Sequence, residues 1–222
     1  MLKLNDIKKS YPLGPVEVDV LKGVNLEVDK GDLLAIMGQS GCGKSTLMNI
    51  IGLLDQPSSG SLFIDGEEIT YKDDNLLSDL RNRSIGFIFQ QYHLLPKLTA
   101  LENVGVPLVY RGERESTIRD KSIEFLEKVG MGERMNHRPN ELSGGQQQRI
   151  AIARALVGQP SFILADEPTG ALDTRVGGEI LNLFKEVNEE DGITMIIITH
   201  DPNLAEKCKK YVNMKDGLIL DR

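Results

Sequence analysis

Long hydrophobic runs are missing from this sequence. The longest, such as "MIIIT" and "FILA", are strand-sized and fall far short of the roughly 20 apolar residues that span a bilayer. The opening "MLKLNDIKKSY" lacks the apolar centre of a secretory signal, so none is expected. Cysteine is scarce: Cys42 sits inside a glycine loop and Cys208 lies far downstream. Two thiols so placed exclude a disulfide framework and are too few, at the wrong spacing, for a cysteine metal site. Positive charge is in deficit. With 26 Lys and Arg against 33 Asp and Glu, the net charge is −7, the wrong sign for a chain whose main partner is nucleic acid. Internal repeats and low-complexity tracts are absent as well.

What is present suits one sizeable domain of 222 residues with room for a subdomain. "LKLNDI", "VLKGVNLEV" and "LLAIM" read as strands, the last uninterrupted by polar residues, as in a strand covered on both faces. "TLMNIIGLL" fits a buried helix, with Gly52 inside it as a weak point. "SLFIDG" and "IGFIFQ" add strands. From 94 to 139 the texture changes to helices with charged outer faces, "TALENVGVPLVYRG" and "ESTIRDKSIEFLEKVG". After these come "SFILADEP", a helix near 176–190, "TMIIITH" and a β-rich ending, "YVNMKDGLIL". Strands alternating with helices predict an α/β fold with a mixed sheet flanked by helices. The predicted core is 1–93 with 140–222, and 94–139 forms an inserted helical subdomain.

Three stretches carry chemistry. Gly38, Gln39, Ser40, Gly41, Cys42, Gly43, Lys44 and Ser45 match G-x-x-x-x-G-K-[ST], between a buried strand and a helix. Glycines there let backbone N–H groups turn inward around a phosphate. Lys44 would reach the terminal phosphates, Ser45 would place its hydroxyl on Mg²⁺, and the helix start adds its dipole. The second stretch, "ILADEP", ends an apolar strand in Asp166 and Glu167, where ligands of open α/β sheets gather. Asp166 would hold the metal touched by Ser45, and Glu167 would accept a proton from an attacking water. The third, "NELSGGQQQRIAIARAL" at 140–156, sets a serine and two glycines at a helix start but carries no lysine. Of the histidines, His93 and His137 read as structural or solvated. On position alone, so does His200, which ends "TMIIITH".

"LSGGQ" at 142–146, set between the lysine loop and "ILADE", resembles the signature of the ATP-binding cassette (ABC) transporter ATPases. The resemblance covers essentially the whole chain, in the family's motif order. It implies a P-loop NTPase core of the ABC type, with an antiparallel β subdomain and a helical subdomain, hydrolysing ATP with Mg²⁺. By the same resemblance Tyr11 stacks on adenine, and Thr46 continues the phosphate loop. Gln90 joins Mg²⁺ to the helical subdomain, although the neighbouring Gln91 leaves the choice of glutamine open. His200 contacts the γ-phosphate. Ser143, Gly144, Gly145 and Gln146 grip the γ-phosphate of ATP held by the 38–45 loop of a second copy. Leu172 and Asp173, in "GALD", lie in the loop that crosses that dimer interface. Arg149 and Arg154 are expected to face solvent or pair with acids, without a catalytic role.

A narrower resemblance, carried by "GEEIT", "RNRSIGFIFQQYHLLPKLTALENVGVPLVY" and "DEPTGALD", is to the MacB/LolD/FtsE-like branch. It implies a permease partner with few transmembrane helices and a large extracytoplasmic domain. The ATPase would then sit on the cytoplasmic face of the inner membrane, in export, efflux or mechanotransmission. The alternative is a soluble ABC ATPase serving a non-membrane assembly system, such as an iron–sulfur scaffold. ABC ATPases of DNA repair or chromosome maintenance need long insertions between the motifs, for which this chain has no room.

Overall fold

The computed structural model describes residues 1–220. Along the chain run β1 (Leu2–Leu13), β2 (Val16–Val28), β3 (Leu33–Met37), α1 (Lys44–Ile51), β4 (Ser59–Ile64), β5 (Glu67–Glu68), α2 (Asp74–Ser84) and β6 (Ile85–Ile88). They are followed by α3 (Ala100–Tyr110), α4 (Glu115–Lys128), α5 (Gly144–Leu156), β7 (Phe162–Asp166), α6 (Thr174–Asp191), β8 (Thr194–Thr199), α7 (Pro202–Glu206), β9 (Lys210–Lys215) and β10 (Leu218–Leu220). The chain forms two compact units, one of Met1–Ser78 with the segment from Thr194 onward, the other Asp79–Ile193.

In the first unit, β2, β1, β4 and β5 form an antiparallel sheet in that order. Leu2 stands opposite Val28 and Ile64, and Leu4 opposite Leu26 and Leu62, which makes one continuous buried apolar face. The alternation slips by one residue between Leu4 and Ile7. A β-bulge with Asp6 at φ 48 absorbs the slip and returns Ile7 to the core. Facing the bulge, Gly60 sits at φ 94, and a Cβ there would lie 2.4 Å from the Asp6 carbonyl oxygen, so only glycine fits.

The same unit holds a mixed arrangement, β10-β9-β3-β8, in which β3 runs parallel to β8 and β9 while β10 is antiparallel. All six residues of β8 are buried, so both faces of that strand are covered, as the uninterrupted apolar runs predict. α1 packs on β8 and β2, and α7 on β3. Gly52, expected inside the helix, ends it instead: its N–H reaches the Met48 carbonyl as the C-cap of α1.

In the second unit, β6 and β7 pair in parallel, and α5 packs against β6, α3, α4 and α6. α5 opens on a capping box: the Ser143 side chain accepts from the Gln146 N–H, and the Gln146 side chain accepts from the Ser143 N–H. α6 opens on Asp173, whose carboxylate accepts from the Val176 N–H, and closes on Gly192 in the left-handed region. Asn103 of α3 is fully buried and organises the loop before that helix. Its Oδ1 accepts the Leu95 N–H at 2.7 Å, while Nδ2 donates to the carbonyls of Leu95, Leu98 and Thr99. Asn103→Ala should therefore cost about 2 kcal/mol or more and lower the melting temperature by about 5–10 °C. Calorimetry beside the wild type checks this.

Candidate nucleotide site

The first unit contributes the lysine loop. Met37 at the end of β3 pairs with Thr199 at the end of β8, so the 38–45 loop and His200 leave the sheet from the same edge. Gly43, at φ 106, is the N-cap of α1 and no side chain caps that helix. The first-turn amides are thus left to an outside acceptor. The glycines are sterically required: a Cβ on Gly38 would meet Met214 O at 2.4 Å and Cys42 Sγ at 2.6 Å, and one on Gly43 would meet Leu21 and Met214 side chains at 2.9 Å. Gly41 needs its freedom for backbone conformation alone, at φ 81 with open space around it. The Lys44 ammonium is buried and donates to the carbonyls of Gly38 and Gln39 at 2.7 and 2.9 Å, folded over its own loop. Gln39, Ser40 and Ser45 are exposed, and Cys42 and Thr46 are half-buried. A cradle closed to a Cβ at Gly38 and Gly43, an uncapped helix start, one ammonium and one exposed hydroxyl fit a polyphosphate and a hard divalent cation.

Beside this loop, Tyr11 is held and not loose. Its hydroxyl donates to Asp55 Oδ2 at 2.7 Å, and the Lys9 ammonium lies 4.9 Å from the ring centroid and 2.7 Å from Asp55 Oδ1. Burial, reinforced by the Asp55 carboxylate, pushes the Tyr11 hydroxyl above its ordinary pKa. Burial would also raise Asp55, but its bonds to Lys9 and Tyr11 outweigh that and hold the carboxyl below the usual range.

The second unit contributes the carboxylates. Ile88 of β6 pairs with Ala165 of β7, so Gln90 and Asp166 also leave from one edge. Asp166 ends β7. Glu167 follows at φ 44, a left-handed conformation that side chains rarely adopt, in a turn closed by the Gly170 N–H on the Glu167 carbonyl at 3.0 Å. The Gln90 amide lies on this turn: a Cβ on Gly170 would come within 2.8 Å of Gln90 Nε2. The start of α5 lies beside the same segments. A Cβ on Gly144 would meet the Tyr92 hydroxyl at 2.6 Å and Leu172 at 3.4 Å, and one on Gly145 would meet Val176 at 2.5 Å. Within this unit, therefore, Gln90, residues 143–146, the turn after Glu167 and the start of α6 are gathered together.

Over residues 21–170 the sequence matches the ABC transporter family. The chain belongs to that family. As an ABC ATPase it binds ATP with Mg²⁺ and hydrolyses it to ADP and phosphate. It is 56% identical, over its whole length and 96% of the relative's, to the uncharacterized ABC transporter ATP-binding protein YvrO of Bacillus subtilis. It is 47% identical to the macrolide export ATP-binding/permease protein MacB of Syntrophobacter fumaroxidans over 99% of this chain, which spans only 31% of MacB. Among solved structures, the dimeric post-hydrolysis state of the cassette MJ0796 of Methanocaldococcus jannaschii, bound to ADP and Pi, has a TM-score of 0.90 and 45% identity, with 100% of this chain and 97% of that one covered. The expected architecture, a mixed sheet with helices and a separate antiparallel sheet, is the one observed.

The structure corrects the reading of one arginine in this ABC ATPase. Arg154 is half-buried and, among the described residues, pairs with no acid. Burial of part of the side chain pulls its pKa down, and its guanidinium donates to the carbonyls of Tyr92 and His93 at 2.7 and 2.6 Å. Those two residues, just after Gln90 and Gln91, both have positive φ, and Arg154 fastens their turn. Arg149 does pair with an acid, reaching Glu179 at 3.5 Å. Gln148, to which no role was given from sequence, is fully buried. One signal marked it in advance: from 150 to 156 only Arg154 interrupts an apolar run, so this helix is buried nearly all round, and an amide inside it needs a partner.

Proposed function

We propose that two copies of this ABC ATPase close on ATP and that closure and reopening drive a membrane permease of the export or mechanotransmission kind. In this reading the amides of 38–46 and the Lys44 ammonium hold the phosphates, and Tyr11 stacks on the base. Ser45, Gln90 and Asp166 are the residues for Mg²⁺, which when bound neutralises charge on the phosphate oxygens. Glu167 accepts the proton of the attacking water, with His200 supporting it. Residues 143–146 face the γ-phosphate held by the other copy, and Asp173 lies at the seam between copies.

The observation that carries the proposal is the contrast between two helix starts. α1 opens on a glycine that cannot cap it and is followed at once by Lys44, whereas α5 opens on Ser143 with two glycines and no cation of its own. A phosphate grip without a cation makes sense when a second chain supplies the cation. The dimeric state of the MJ0796 cassette supports the pairing, and the fusion of ATP-binding and permease parts named in MacB supports the membrane partner. No helix among the described residues is long and apolar enough to cross a membrane, so the permease would be another chain or another segment.

Expression with the neighbouring reading frames, followed by purification in mild detergent, tests the permease half. The chain is expected to come out with an integral membrane protein that has few transmembrane helices and a large extracytoplasmic domain. Recovery on a soluble iron–sulfur scaffold alone would replace this proposal with the non-membrane one.

A further inference from the structure

We infer that Gln148 is a positioning residue for hydrolysis: it ties the helix that begins at Ser143 to the backbone immediately after Glu167. Its Nε2 donates to the Pro168 carbonyl at 2.7 Å, and the side chain is fully buried. The inference rests on the reading of Glu167 as the base, and it adds the means by which that carboxylate is held.

Three observations converge on it. First, the turn is strained, since Glu167 sits at φ 44. Such a conformation persists only where the surroundings over-determine it. Among the hydrogen bonds that do so are those from the Gly170 N–H to the Glu167 carbonyl and from the Gln148 amide to the Pro168 carbonyl. Second, Oε1 of Gln148 is buried with no hydrogen-bond partner among the described residues. A buried, unpaired acceptor is destabilising, and an apolar side chain of the same length would remove it but leave the buried Pro168 carbonyl unpaired instead, so the two costs roughly offset. Net stability therefore gives a glutamine little advantage at this position, and what it adds is the bond to Pro168. The amide cannot be reversed, because Oε1 would then face the Pro168 carbonyl oxygen. Third, Gln148 lies five residues beyond Ser143 on one rigid helix, about 7.5 Å along its axis. A displacement of the 143–146 end is thus passed through this side chain directly to the backbone that carries Glu167.

The test compares Gln148→Met and Gln148→Glu with the wild type in the full chain. Gln148→Met removes both the bond and the orphaned oxygen at nearly constant length. Because it leaves the Pro168 carbonyl unpaired in place of Oε1, it should shift the melting temperature by only a few degrees, leave the ATP dissociation constant and KM within twofold, and lower kcat about tenfold. A merely structural glutamine would leave kcat per folded molecule unchanged whatever the melting temperature, and that result would overturn the inference. Gln148→Glu gives a second readout that holds even if the methionine variant does not fold. As a carboxylate it would repel the Pro168 carbonyl, but protonated it can donate to it, and burial raises the pKa of such a group. Its turnover relative to wild type should therefore rise as pH falls from about 8.5 to 6.5, and a flat ratio would overturn the inference. If Glu167→Gln itself turned over normally, the reading of the base would be wrong. If Glu167→Gln is inert while Gln148→Met is fully active, only the role of Gln148 fails.

Discussion

Glu167→Gln is expected to bind ATP as tightly as the wild type and to lose hydrolysis by about 10²–10⁴-fold, the usual worth of a positioned general base. The substitution exchanges an oxygen for an amide nitrogen with almost no change in size. The turn closed by the Gly170 N–H on the Glu167 carbonyl uses backbone alone, so it persists. So does the Gln148 bond to Pro168, which also engages a main-chain oxygen. The Lys44 loop lies elsewhere in the sequence and keeps its own geometry. What disappears is the capacity to take a proton. Binding without turnover should then accumulate closed pairs, visible by size-exclusion chromatography or light scattering with ATP and Mg²⁺. Wild-type turnover in this variant would remove Glu167 from the chemistry and direct attention to His200, at the edge shared with the lysine loop.

The parts of the site legible in the sequence are those whose chemistry demands a particular residue at a particular spacing. Gly38, Gly43 and Lys44 belong to such a set, since any Cβ at either glycine would collide with Met214 or its neighbours. The apolar runs of β3, β7 and β8 were equally plain, because strands buried on both faces leave no polar interruption. What escaped depends on tertiary partners. α2 buries only Leu77 and leaves no apolar stripe to detect. The bulge at Asp6 shows only as a one-residue slip in a strand pattern. Arg154 looks like any helical arginine until the carbonyls of Tyr92 and His93 are brought to it by the fold. For Gln148 the apolar surroundings signal a buried amide but not its partner, a carbonyl 20 residues away, and carbonyls carry no sequence signature.

Ser143→Arg should leave a single chain able to bind ATP while turnover falls by 100-fold or more and ATP-driven pairing is lost. The expectation separates local damage from a fault in assembly. Locally the loss is small, because Ser143 is exposed and its Oγ accepts from the Gln146 N–H over a long 3.4 Å. Removing such a cap costs about 1 kcal/mol. α5 is held far more strongly by the buried side chains of Ile150, Ile152 and Leu156, so the fold survives. Nor does the new guanidinium disturb the Gly38 and Gln39 carbonyls around Lys44, which belong to the other phosphate grip. If 143–146 closes on ATP held by a second copy, however, a long side chain at the tip of α5 stands in the seam and keeps the copies apart. Wild-type specific activity should accordingly rise with protein concentration at the dilute end, as it must when the working unit is a pair, and the variant should show no such rise. Normal, concentration-independent turnover by Ser143→Arg would mean that each chain completes its own site. The missing cation at the start of α5 would then need another explanation than a partner's Lys44.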